Sequence, residues 1–118
     1  MARDSTLTAR LRMATAGLPA VEEKQMMGGV CFMVAGHMLG GARVHKDGVR
    51  RFMFRVGPER EPEALDRLGA VRAAMGQRQM KGFVHVDADT LDDDQLAAWV
   101  ALARDYIATL PPRKVVVK

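Results

Sequence analysis

The chain has 118 residues, of which 48% are apolar and 27% charged, a length and balance that suit one globular domain and leave too little chain for two. Its single cysteine excludes an internal disulfide and points to a reducing compartment. No apolar run approaches the ~20 residues of a membrane span, and the opening MARDSTLTARLRM lacks the apolar stretch of a secretory signal. We therefore expect a cytoplasmic protein, away from membranes, made of one domain over residues 1–118 with a core at about 5–112 and a loose tail at 113–118. The net charge of +4 leaves two readings open: a basic surface that attracts nucleic acid or another polyanion, or a merely solvated one.

In chain order, Asp4, Ser5 and Thr6 are possible N-caps for Leu7, Leu11, Ala14 and Leu18 at helical spacing, and Gly17-Leu18-Pro19 is a stop. A helix is expected over about Ser5 to Ala16. Val30 to Val34 is apolar at every position, the pattern of a strand covered on both faces. Ala35-Gly36-His37 then turns the chain into a second strand, Met38 to Val44. Glycines at 40 and 41 inside it weaken a strand unless something approaches closely there. Lys46-Asp47-Gly48 is a hairpin turn leading to Val49–Val56. In that strand Phe52, Phe54 and Val56 share one face, and Arg51, Met53 and Arg55 the other.

Pro62 suits the first turn of a short helix to about Leu68. Residues 69–81 are not legible by periodicity. Gly82 to Val86 is a further strand, and Thr90-Leu-Asp-Asp resembles a capping box before a helix marked by Leu96, Trp99, Val100, Ala103, Ile107 and Leu110 and ended by Pro111-Pro112. The order of elements predicts an α+β fold: an N-terminal helix, a curved, mostly antiparallel sheet with hairpins, and a C-terminal helix packed on it.

Candidate chemistry is sparse. Gly28-Gly29 precedes a strand and lacks the Gly-Lys-Ser/Thr end of a phosphate loop, so it is expected to be a structural turn. Cys31 sits in an apolar run, where burial disfavours the thiolate a nucleophile needs. His37, His45 and His85 show no metal-ligand spacing, and no catalytic residue, metal or cofactor is expected. The best anion- or partner-binding candidates are Arg43, Arg51 and Arg55 on one sheet face, with Lys81 and Arg78 beside them, because guanidinium forks hold carboxylate or phosphate by two parallel bonds. Met26, Met27, Met33, Met38 and Met53 are either adaptable core or a surface for a partner or a second subunit.

Lys24-Gln-Met-Met-Gly-Gly-Val-Cys-Phe resembles the Met-Phe-Gly-Gly signature of the TfoX N-terminal domain family, with Met27 where most members carry phenylalanine. Gly36-His-Met-Leu-Gly-Gly, Phe54-Arg-Val-Gly-Pro-Glu and Met80-Lys-Gly-Phe-Val-His-Val-Asp are similar to that family's following segments, over about residues 7–112. The resemblance implies a stand-alone, single-domain member, with a fold of the kind grouped with secretion-chaperone-like domains. Full-length TfoX proteins act in bacterial competence regulation. The family implies no catalytic residues. The expected function is a non-enzymatic regulatory or protein-interaction domain working through a homodimer or a protein partner. The alternative is nucleic-acid or small-anion binding through the arginine face.

Overall fold

Alternation along Phe52-Met-Phe-Arg-Val organises the molecule, because one set of side chains has to leave water and the other does not. The computed structural model describes residues 5–18, 20–26, 29–66, 70–75 and 78–110. Helix α1 (Ser5–Ala14) leads into strands β1 (Val21–Met26), β2 (Gly29–Val34), β3 (His37–Val44) and β4 (Arg50–Arg55). A short helix α2 (Glu61–Leu65) precedes β5 (Ala70–Met75) and β6 (Arg78–Asp87), and a 3-10 turn (Ala88–Thr90) leads into α3 (Asp93–Ala108). The strands form one antiparallel sheet in the order β1-β2-β3-β4-β6-β5, with each described helix on the same side of it. The α+β expectation is met.

The core lies between that side of the sheet and the helices. Val30, Phe32 and Val34 of β2, Phe52 and Phe54 of β4, Val56 just beyond it, and Val84 and Val86 of β6 meet Leu7 and Leu11 of α1 and Leu96, Trp99, Val100, Ala103 and Ile107 of α3. Trp99 stacks on Phe54 with ring centroids 5.6 Å apart and planes 8° from parallel. Arg10 ties α1 to the start of α3, donating to the carbonyls of Ala88 at 2.9 Å and Leu91 at 2.7 Å. The buried carboxylate of Glu61 accepts from the Gly82 N–H and so anchors α2 on β6.

Several expectations need correction. Val21–Met26 was not legible as a strand, yet it forms the sheet edge, with Glu22 to Gln25 exposed. Residues 69–81 supply β5 and the start of β6. The first helix ends at Ala14 rather than Ala16. His37 belongs to β3, and the β2–β3 turn is Ala35-Gly36, both at positive φ (53° and 82°) as a two-residue hairpin requires. The N-terminal box of α3 is built by Asp92 and Gln95, while Thr90 lies in the 3-10 turn. Residues 27–28, 67–69 and 111–118, which include Gly28 and the expected tail, lie outside the described residues.

Gly40 lies at a close approach. A Cβ there would stand 2.1 Å from the Met53 carbonyl oxygen across the β3–β4 ladder. This is the condition under which a strand tolerates glycine. It adjoins a bulge between Phe32 and Met33, where Leu39 is the extra residue and turns into the core.

Candidate functional site on the uncovered sheet face

The second side of the sheet carries the residues that alternate with the core set. Val30–Val34 was expected to be covered on both faces. Among the described residues no helix packs against this side, yet the expectation largely holds: Cys31 is 4% and Met53 9% exposed although neither joins the main core cluster, and only Met33 of β2 is partly exposed. Registers place its side chains in rows across the strands. Lys24, Cys31, Gly41, Met53, His85 and Val71 form the middle row. Glu22, Met33 and Met38 lie on one side of it. Arg43, Arg51 and Asp87 lie on the other.

Arg43 and Arg51 are direct cross-strand partners on β3 and β4, so their Cβ atoms stand roughly 5 Å apart. Like charges so placed repel unless other groups intervene. Asp47, in the hairpin turn, accepts from both terminal nitrogens of Arg51 at 2.9 and 3.2 Å. Bonds from Arg51 and from the Val49 N–H hold the Asp47 carboxyl below the usual carboxylate range. Gly29 begins β2 next to this row, and a Cβ there would stand 2.9 Å from the Arg43 Cβ and 2.6 Å from the Ala42 oxygen. Its absence of a side chain gives the Arg43 stem room to lie on the sheet, a role beyond the turn expected for the Gly-Gly pair.

The other two candidates are elsewhere. Arg55 shares the face but is four residues along β4, roughly 13 Å from Arg51 at strand spacing. Its guanidinium lies over the rings of Phe83 and Tyr106, 5.6 and 5.4 Å from their centroids. Lys81 is exposed on β6, again roughly 13 Å along the strand from His85. The structure thus brings Arg43 and Arg51 together and leaves Arg55 and Lys81 apart from them. The side chain of Arg78 is outside the described set.

Two histidines complete the cluster and were not anticipated there. His45 follows β3 and His85 lies on β6, with β4 between them, yet their rings meet edge to face with centroids 4.6 Å apart. Burial, then His45, Arg51 and Arg43 in that order, push the His85 pKa down to about 4. Burial and the same two arginines lower that of His45, against a smaller opposing pull from Asp47. Both imidazoles are therefore neutral near pH 7 and sit in a positive local field. His37 pairs with Val34 and belongs to the core side, so it does not join them.

The face offers cation and hydrogen-bond donors rather than a nucleophile. Burial pushes the Cys31 thiol up. Cys31 shares a row with His85 but lies three strands away, roughly 14 Å at strand spacing, too far for an imidazole to take its proton. Among the described residues no group of three or more His, Cys, Asp or Glu side chains is arranged to hold a metal ion. No described helix is long and apolar enough to cross a membrane.

The TfoX N-terminal domain family matches residues 13–106. No curated protein and no solved structure matches the chain. The family match spans most of the sequence, so the chain belongs to the TfoX N-terminal domain family.

Proposed function

We propose that this TfoX-type chain is a non-enzymatic regulatory domain that binds a protein partner through the uncovered face of its sheet. The observation that carries the reading is the composition of that face. Met33 and Met38 give a partly exposed, adaptable apolar surface beside the buried Met53, and Arg43 and Arg51 lie on the other side of that row. A partner presenting apolar side chains flanked by carboxylates fits both parts, and charge complementarity sets its orientation and speeds encounter. A homodimer built on this face with Arg43–Arg51 pairs stacked would set like charges together, so a partner of opposite charge fits better.

The test is affinity purification from cytoplasmic extract with the wild type, with Arg43→Glu combined with Met38→Glu, and with Arg104→Glu on the opposite helix layer. Loss of a stoichiometric partner in the double variant alone supports the reading. Equal loss in Arg104→Glu, or retention in all three, contradicts it.

The Arg43–Arg51 pair also favours a second reading, nucleic-acid or small-anion binding. Stacking of bases has little to work with, since Phe52, Phe54 and Trp99 are buried and Arg55 lies over Phe83 and Tyr106. Duplex DNA binding that weakens steeply between ~50 and ~200 mM salt would support the nucleic-acid form of it, and no binding at ~50 mM would remove that form.

A further inference from the structure

We propose that Arg43, Arg51, His45 and His85 together form a site for one small tetrahedral oxyanion, of the sulfate or phosphate kind, whose occupancy draws a proton onto the histidine pair. The inference rests on the small-anion reading and sharpens it; it shares Arg43 and Arg51 with the protein-partner reading but is tested without a partner present. It stands on how the sheet is ordered. Because β6 inserts beside β4, residues some forty positions apart in sequence meet on one side of the sheet.

Arg43 and Arg51 are register partners on β3 and β4, and their like charges disfavour one another to the extent that Asp47 does not offset that of Arg51. An anion between them converts that repulsion into charge-assisted bonds, and a fork of N–H groups suits a tetrahedral oxyanion. Asp47 engages the terminal nitrogens of Arg51, but a guanidinium has five N–H donors, so others remain for a ligand. Each neutral imidazole adds one N–H donor, and each protonated one adds two.

The surrounding charges make the site proton-linked. Arg43 on β3 and Arg51 on β4 both disfavour protonation of His45 and His85. Of the acids nearby, Asp47 in the hairpin acts weakly on His45, and Asp87 on β6 turns its Oδ1 to the Asp89 N–H. β2 contributes Gly29 beside Arg43, and β5 contributes Val71 opposite His85, neither charged. A bound dianion offsets the field of the two arginines, so the imidazoles take up a proton on binding, and binding tightens as pH falls. Asp47 and Asp87 rim this end of the face. They would repel the successive phosphates of a nucleic acid while leaving room for a single ion.

The experiment is an NMR titration of the histidine side chains in the full chain with sodium sulfate, against sodium chloride at matched ionic strength. Sulfate keeps its charge between pH 5.5 and 7.5, so any pH dependence belongs to the protein. The expected result is saturable, sulfate-specific shifts at His45 and His85, a raised His85 pKa, and binding roughly tenfold tighter at pH 5.5 than at 7.5, within the limit of one proton taken up. Arg43→Gln should weaken sulfate binding at least about tenfold, as loss of a charged fork does. His85→Gln, which removes both a donor and the titrating ring, should weaken sulfate binding at pH 7.5 by less than Arg43→Gln does and lose most of the pH dependence, and Arg104→Gln should behave as wild type. Inorganic phosphate and glycerol 2-phosphate, compared at pH 7.5, then separate a free ion from an organic phosphate as the tighter ligand. Identical shifts with chloride overturn the proposal. So does unchanged sulfate binding in Arg43→Gln with a native amide spectrum. Duplex binding is scored separately, so this inference and the nucleic-acid reading fail independently.

Discussion

Trp99→Ala should be among the most damaging single substitutions in this chain. Trp99 is only 2% exposed and lies flat on Phe54 in the centre of the α3–sheet interface. A tryptophan buries roughly 150–250 Å², which at ~25 cal/mol per Å² is about 4–6 kcal/mol of transfer free energy. Alanine keeps a small part of that contact, and large-to-small truncations of buried aromatics cost about 3–5 kcal/mol. With a urea slope of about 2 kcal/mol per molar, the midpoint should fall by about 2 M. Far-UV circular dichroism is the appropriate signal, because the substitution removes the only tryptophan in the chain. Trp99→Phe, which keeps a ring over Phe54, should lose only about 1–2 kcal/mol, as smaller core truncations do. A midpoint for Trp99→Ala within about 0.3 M of wild type would show that α3 does not seal the core in this way.

Further consequences follow from the same geometry. Gly40→Ala places a Cβ against the Met53 carbonyl oxygen, which cannot yield without opening the β3–β4 ladder. It should cost at least about 2 kcal/mol, and a urea-derived loss below about 0.5 kcal/mol would refute the close approach. Cys31 is 4% exposed with its thiol pKa raised by burial, so iodoacetamide at pH 7.5 should leave the native chain unmodified and label it in urea. Rapid native labelling would contradict that burial. The His85 pKa falls from the ordinary 6.5 to about 4, so on acidification the unfolded chain takes up this proton first. The stability contributed by neutral His85 is therefore complete above pH 6.5 and is lost between 6.5 and about 4. The full shift is worth roughly 3 kcal/mol, and solvent screening of a partly exposed ring reduces it to about 1–2 kcal/mol. Unfolding free energies at pH 7 and 4.5 should show that slope in wild type and a smaller one in His85→Gln, and equal slopes would dismiss the burial of His85.

The parts of the fold that were legible in the sequence are those where one face is dry and the other wet. Alternation from Arg51 to Val56 assigned both faces of β4 correctly, and the Leu96-Trp99-Val100-Ala103-Ile107 stripe marked α3. Strand β1 was missed because VEEKQM is an edge whose charged side chains face water, as edge strands often do. Strand β5, AVRAAM, is rich in alanine, whose intrinsic preference is helical, and only its pairing with β6 makes it extended. At the start of α3, Thr90-Leu-Asp-Asp looked like the capping box, but the cap is Asp92, and the glutamine three residues after it is the signal that marks it.

The candidate site was half legible. Strand periodicity put Arg43 and Arg51 on one face, and the structure makes them neighbours. The histidines were beyond reach, since their meeting depends on β6 lying beside β4 rather than beyond β5, which is a long-range pairing choice. One signal was available: Gly29 and Gly41 fall on the same strand faces as Arg43 and Met53, and such gaps mark places where a long side chain or a ligand lies down.

The central claim, that among the described residues no helix covers the second side of this sheet and Met33 and Met38 stand partly open there, is tested most directly by the methionine methyl groups. Met13 is 79% exposed and Met53 is 9% exposed, so they calibrate the two ends of a solvent-exposure scale, with Met33 and Met38 between them. Paramagnetic broadening of the 13C-methyl signals by a soluble gadolinium chelate should rank Met13 first, Met33 and Met38 next and Met53 last. Methyls of Met33 and Met38 as protected as that of Met53 would mean that the face is already covered, and the account of it as a binding surface would be wrong.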